Sequence, residues 1–123
     1  MTEPAPGQRW HIPDVVKRTD VLETLIGTYE ARNDTPSTSS LSFHIYRLAE
    51  GQIDDQTPHR EDELYYVFSG MRTLVTDCSV EGKKRVDLVQ GDLVYVPAHA
   101  KHVFEGSAEI VLLVFFAPNF SGD

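Results

Sequence analysis

From Ser40 onward, apolar and polar residues follow one another in short runs rich in β-branched and aromatic side chains, the pattern of half-buried strands. The runs predict strands at 41–49, 55–59, 63–69, 71–77, 84–90, 93–96, 101–105 and 109–117. Glu50-Gly51, Ser69-Gly70, Glu81-Gly82, Gln90-Gly91 and Glu105-Gly106 punctuate them as turn-bearing breaks. No helical pattern alternates with these runs, so the spacing calls for an antiparallel sandwich or barrel of the all-β class rather than a βαβ sheet. Ahead of Ser40 the pattern differs. Residues 1–9 are polar and rich in Pro and Gly, and are expected to form a mobile arm. Residues 10–40 are expected to be a helical or irregular segment. Val15, Val16, Val21, Leu22, Leu25 and Ile26, with Pro13 near the start and Gly27 at the end, predict one or two short helical turns. Asn33 to Ser40 then reads as a polar loop.

Composition changes this picture only by exclusion. The chain has 123 residues, 41% of them hydrophobic and 24% charged, which is enough for one core without a disulfide or a structural metal. A net charge of −8 has the wrong sign for a phosphate backbone, and no basic run exceeds Lys83-Lys84-Arg85, so no nucleic-acid partner is expected. The apolar run Ile110–Ala117 is far shorter than the roughly 20 residues of a membrane span, so no membrane partner is expected either. The N-terminus lacks the basic and apolar blocks of a secretory signal, and Cys78 is the single cysteine; both point to a cytoplasmic location.

Candidate chemistry is concentrated in two segments. In the first, Thr57-Pro58-His59-Arg60-Glu61-Asp62-Glu63, an imidazole and a carboxylate lie four residues apart beside the strand Tyr65–Phe68. On one straight strand the two would stand about 13 Å apart, whereas metal–ligand bonds are only about 2 Å long. Chelation therefore requires the chain to turn at Arg60-Glu61-Asp62, which reads as a solvated turn. The second segment, Gly91 to His102, reads as a tight turn, a short strand, a corner led by Pro97 and a histidine opening the next strand. If the fold unites His59, Glu63 and His102, two imidazoles and a carboxylate would form a ligand set suited to non-haem iron, zinc or manganese. Tyr65 shares the parity of Glu63 and Val67, so its phenol is expected to point inward, where it could position a substrate or donate a proton.

Together the two segments resemble the paired motifs of the cupin superfamily, in the form of a small single-domain (cupin 2 type) protein. Gly51, Thr57, His59, Glu63 and Gly70 align with the first motif, and Gly91, Pro97, His99, His102 and Gly106 with the second. Three positions depart from the motifs. Thr57 stands where the first motif has its leading histidine, His99 where the second has a glycine, and Gly106 where it has an asparagine. A histidine at position 99 suits a left-handed turn, which His adopts more readily than most residues. A fourth ligand is left open between Gln56, His44 and His99, although His44 also suits a surface or hydrogen-bonded interior position.

The resemblance implies a jelly-roll β-barrel over residues 41–118, with the short helical or irregular N-terminal segment packed outside. It implies a divalent transition metal (Fe, Mn, Zn or Ni) held by His59, Glu63 and His102, with Tyr65 and Glu63 as the catalytic groups. The activity implied is that of a metal-dependent dioxygenase-, cyclase- or isomerase-like enzyme acting on a small organic molecule. The alternative is a non-catalytic metabolite-binding or sensory cupin with a degenerate metal site. A homodimer is also implied, burying outer positions such as Leu64, Tyr66 and Phe68.

Overall fold

A computed structural model describes residues 4–29, 41–78 and 82–118. The polar loop expected at 33–40 and the first three residues of the expected N-terminal arm lie outside the described residues. The elements run α1 (Ile12–Lys17), β1 (Glu23–Tyr29), β2 (Leu41–Leu48), β3 (Glu61–Cys78), β4 (Gly82–Val89), β5 (Leu93–Val96), β6 (Lys101–Glu105) and β7 (Ile110–Pro118). All pairings are antiparallel. The main path is β1-β2-β7-β3-β4, and β5 and β6 also pair with β3. This is the all-β, single-domain jelly-roll barrel that the strand spacing and the paired motifs anticipate.

The long strand β3 joins the two sheets of the barrel. Its first half, Glu61–Gly70, pairs with β7 and β5, and its second half pairs with β4 and β6. A register shift between Val67 and Ser69 separates the halves, so Ser69-Gly70 bends one strand where two were expected. Gly70 has φ 88° and a side chain there would collide with the carbonyl oxygen of Glu109, so the bend admits only glycine. The extra residue changes the inward parity from odd (Glu63, Tyr65, Val67) to even (Arg72, Leu74). One strand thereby supplies both sheets with interior side chains.

Two cores account for the apolar runs. Inside the barrel lie Leu48, Tyr65, Val67, Leu74, Phe104, Ile110 and Leu112 with their neighbours. Outside it, Val15 of α1 packs on Ile45 and Val111, joined by Trp10, Ile26 and Phe68. β7 is apolar almost throughout because Ile110, Leu112 and Val114 face one core and Val111 faces the other. Phe68, expected on an open outer face, lies beneath this N-terminal cover.

Two sequence expectations need correction. The helix stops at Lys17, and residues 23–29 are a strand paired with β2. A bulge between Leu25 and Gly27 breaks their alternation and imitates helical spacing, while Gly27 makes room for the Phe43 ring rather than ending a helix. The expected strand at 55–59 is irregular chain, because Pro58 has no N–H to give a ladder and Asp54 draws the backbone inward. Among the described residues no helix is long and apolar enough to cross a membrane.

Candidate metal centre

The two motif segments meet because main-chain bonds clamp them together. His99 N–H donates to the His59 carbonyl at 2.6 Å, and Ala98 N–H donates to Asp62 Oδ1 at 2.9 Å. Tyr95 donates to the same carboxylate at 3.3 Å, so Asp62 ties down the Pro97 corner instead of forming a solvated turn. His99 adopts φ 69°, the left-handed conformation expected of it, and reverses the chain so that β6 begins with His102 facing inward. On the other segment a bend at Arg60 precedes β3, which brings His59 back over Glu63.

The result is a cluster of three potential ligands. One donor atom each from His59, Glu63 and His102 lies within 4.8 Å of the others. His59 Nε2 is 3.9 Å from Glu63 Oε1, and His102 Nε2 is 3.5 Å from Glu63 Oε2. Ligands about 2.1 Å from a common ion stand roughly 3.0–3.4 Å apart, so the His102–Glu63 contact is near that spacing and binding would have to draw the wider pairs inward. His102 Nδ1 lies 3.0 Å from the Ala100 carbonyl and donates to it, which leaves the Nε2 lone pair directed into the cluster. Glu63 is 1% exposed, and its Oε2 has no hydrogen-bond partner among the described residues. A buried carboxylate with one oxygen lacking a donor, and an imidazole nitrogen near each oxygen, fits a cation.

Electrostatics agree with that fit. Burial pushes the Glu63 carboxyl up to about 7, the Tyr65 hydrogen bond opposes the rise, and the charges of Glu61, Glu23 and Asp54 add to it. Burial likewise lowers His102, against the pull of the Ala100 carbonyl, and this favours the neutral, ligating imidazole. The Tyr65 hydroxyl donates to Glu63 Oε1 at 2.5 Å and lies 3.1 Å from His102 Nε2. Burial first, and then the Glu63 charge, raise its pKa and keep the phenol protonated.

The three residues left open as a fourth ligand separate clearly. Gln56 Oε1 lies 3.1 Å from His102 Nε2 and 3.5 Å from His59 Nε2. His44 is engaged elsewhere: its Nδ1 is 3.0 Å from Glu23 Oε2, whose carboxyl it holds below the usual range, and its Nε2 is 3.2 Å from Ser42 Oγ. His99 is exposed and outside the cluster, and Thr57 is exposed as well. Sequence reading missed Asp54, a buried carboxylate that accepts from Tyr46 Oη, Gln56 Nε2 and Phe104 N. No spacing rule links it to Phe104; the pairing exists only in the fold.

A cavity of about 120 Å³ opens beside the cluster. Gln56, His59 and Tyr65 give it a polar side, and Leu22, Val114 and Phe116 an apolar one. The N-terminal segment therefore does more than pack outside the barrel, since Leu22 forms part of the wall.

Comparison with known proteins is consistent with this geometry. A family model described as a cupin domain matches residues 44–116. An uncharacterised protein of Streptomyces coelicolor is 35% identical over 80 residues, 64% of this chain and 71% of that one. Among solved structures, the oxalate decarboxylase of Bacillus subtilis, studied for its Mn(II) centres, superposes with a TM-score of 0.59 at 23% identity. The match covers 65% of this chain but only 22% of that enzyme, so the chain spans about a fifth of its length. A cupin superfamily protein of Desulfitobacterium hafniense has a TM-score of 0.55 at 21% identity, covering 78% of this chain and 79% of that one. The DMSP lyase of Ruegeria pomeroyi has a TM-score of 0.54 at 19% identity, covering 68% and 41%.

Proposed function

The chain belongs to the cupin family, and on that footing we propose that it is a metal-dependent enzyme acting on a small organic molecule. His59, Glu63 and His102 hold a divalent transition metal, one of iron, manganese, zinc or nickel. The observation that carries this reading is the buried Oε2 of Glu63, which has no donor among the described residues and lies 3.5 Å from His102 Nε2, in a cluster whose third member, His59, lines an open cavity. When bound, such a metal supplies Lewis-acid polarisation of a substrate oxygen.

The chain's own residues supply the remaining chemistry. Tyr65 keeps its proton and lines the cavity, so its hydroxyl is the donor to a substrate atom that gains negative charge. In this structure Glu63 Oε1 accepts that hydroxyl's single proton, so donation to a substrate would follow once a bound metal engages the Glu63 carboxylate. Val114 and Phe116, cross-strand neighbours of Tyr65 and Glu63, add apolar surface beside these polar groups. Two structural neighbours are named as enzymes, a decarboxylase and a lyase, and this supports catalysis over passive metabolite binding as the use of the cavity. Iron or manganese in this site would suit dioxygenase-like chemistry, and zinc or nickel cyclase- or isomerase-like chemistry.

The outer face supports a homodimer. Leu64 is paired with Tyr95 and Tyr66 with Leu93, and all four are exposed, forming one apolar patch on β3 and β5. Sedimentation of wild type and Tyr95→Glu tests this: a dimer that becomes a monomer is expected, and a monomer in both contradicts it.

The functional reading is tested by elemental analysis of untagged, chelator-free protein and of Glu63→Ala. Near one equivalent of transition metal that disappears in the variant is the expected result. No metal in either protein after reconstitution would favour a metal-free binding barrel. Once a substrate is found, Tyr65→Phe should keep its metal and lose turnover by about 10²-fold or more.

A further inference from the structure

The geometry points to the side-chain carbonyl of Gln56 as a fourth metal ligand, presented by the buried carboxylate of Asp54. This inference rests on the metal-centre reading above and specifies the ligand set of that site.

The orientation of the amide is fixed by its neighbours. Asp54 is 5% exposed and accepts from Tyr46 Oη–H at 2.6 Å, from Phe104 N–H at 2.8 Å and from Gln56 Nε2–H at 2.8 Å. The Gln56 backbone N–H adds a longer contact of 3.4 Å to the same carboxylate. An ionised carboxylate only accepts hydrogen bonds, so it selects the NH₂ side of the amide; the flipped amide would set oxygen against oxygen. The carbonyl oxygen is thereby turned the other way. It faces His102 Nε2 at 3.1 Å, Tyr65 Oη at 3.3 Å and His59 Nε2 at 3.5 Å.

Proton counting shows what this arrangement lacks. His102 gives its Nδ1 proton to Ala100, so its Nε2 presents a lone pair. Tyr65 has one hydroxyl proton, and its shortest contact, 2.5 Å, is with Glu63 Oε1. Gln56 Oε1 and His102 Nε2 therefore confront each other across 3.1 Å as two electron-pair donors with no proton of their own between them. Such a contact repels unless a proton on the imidazole or a metal ion lies between the pair. About 3.0 Å is also the separation of neighbouring ligands that stand ~2.1 Å from one ion at right angles. The completed set is two imidazoles, one carboxylate and one amide oxygen. A second oxygen donor makes the site more hospitable to Mn(II) than a three-imidazole set, which suits Ni(II) and Zn(II) better.

The test measures Mn(II), Ni(II) and Co(II) binding to chelator-stripped wild type, Gln56→Leu, Gln56→His and Glu63→Ala, and records the visible spectrum of each Co(II) form. Glu63→Ala should lose binding. Gln56→Leu should weaken Mn(II) binding by at least about tenfold and shift the Co(II) bands. Gln56→His should restore binding, change the Co(II) spectrum through the new nitrogen donor and raise the Ni(II)-to-Mn(II) affinity ratio. Gln56→Leu that binds as wild type with an unchanged Co(II) spectrum, while Glu63→Ala loses metal, overturns the Gln56 ligand and leaves the three-residue centre standing. Glu63→Ala that binds as wild type removes the centre itself. If Gln56→Leu does not fold, Gln56→His decides: a Co(II) spectrum identical to wild type overturns the inference.

Discussion

Arg72 and Glu63 are both buried charges on β3, 5% and 1% exposed, and their surroundings are opposites. Arg72 has four main-chain partners: Nε donates to Ala108 O at 2.7 Å, Nη1 to Gln52 O at 2.8 Å and Phe104 O at 3.3 Å, and Nη2 to Ala49 O at 3.0 Å. There the chain brings its own cation to a set of converging oxygens. Around Glu63 the converging atoms are again electron-pair donors, from His59, His102 and Gln56, but no cationic side chain among the described residues is paired with them. The contrast lies on one strand: a balanced polar cluster holds loops together, and the unbalanced one is where the proposed metal would bind. The two are also linked. Arg72 fixes the turn at Ala49–Gln52, from which the chain continues directly into Asp54, Gln56 and His59.

The largest effect is expected at Arg72. Arg72→Met removes the donor to four main-chain carbonyls, one of them buried, and should cost about 3 kcal/mol of stability, with or without metal. Urea unfolding of the metal-free and metal-loaded forms checks it. A loss below about 1 kcal/mol would mean that Arg72 is not the clamp described.

Glu63 should behave in the opposite sense in the metal-free protein. Its folded pKa, about 7, lies above the ordinary value of 4.5, so the folded state binds more protons than the unfolded state between those values. Stability is then highest below about pH 4.5, falls as pH rises toward 7 and stays low above it, a decline of about 3 kcal/mol. His102, whose folded pKa is lowered, contributes with the opposite slope in the histidine range. The difference between wild type and Glu63→Gln, which retains His102, isolates the carboxylate. Glu63→Gln should gain stability relative to wild type as pH rises; parallel curves would contradict the buried, uncompensated charge.

Metal linkage gives a smaller effect that sharpens the contrast further. Mn(II) at a hundredfold over its dissociation constant should add about 2.7 kcal/mol to wild type and nothing to Glu63→Gln, as read by unfolding midpoints. An equal gain in both would place the ion elsewhere.

Much of the site was legible in the sequence because its chemistry is carried by side-chain identity at fixed spacing. His59, Glu63 and His102 stood out in this way. The need for a turn between His59 and Glu63 followed from strand geometry alone, and so did the inward phenol of Tyr65. What escaped has a common cause. Arg72 acts on main-chain carbonyls, and Asp54 on a main-chain N–H fifty residues away, so neither partner leaves an imprint on sequence. β1 was hidden by its bulge, which shifts the apolar positions out of alternation. Residues 55–59 read as strand, yet they serve the site because they are irregular: a ladder there would hold Gln56 and His59 on straight chain, away from Glu63.

The most direct test of the account is anomalous scattering from crystals grown with Mn(II), recorded at an energy where manganese contributes strongly. The account predicts one strong peak bonded to His59 Nε2, His102 Nε2 and a Glu63 carboxylate oxygen at about 2.0–2.3 Å. Density with no peak in the cluster at saturating Mn(II), or a peak confined to surface carboxylates, would contradict it.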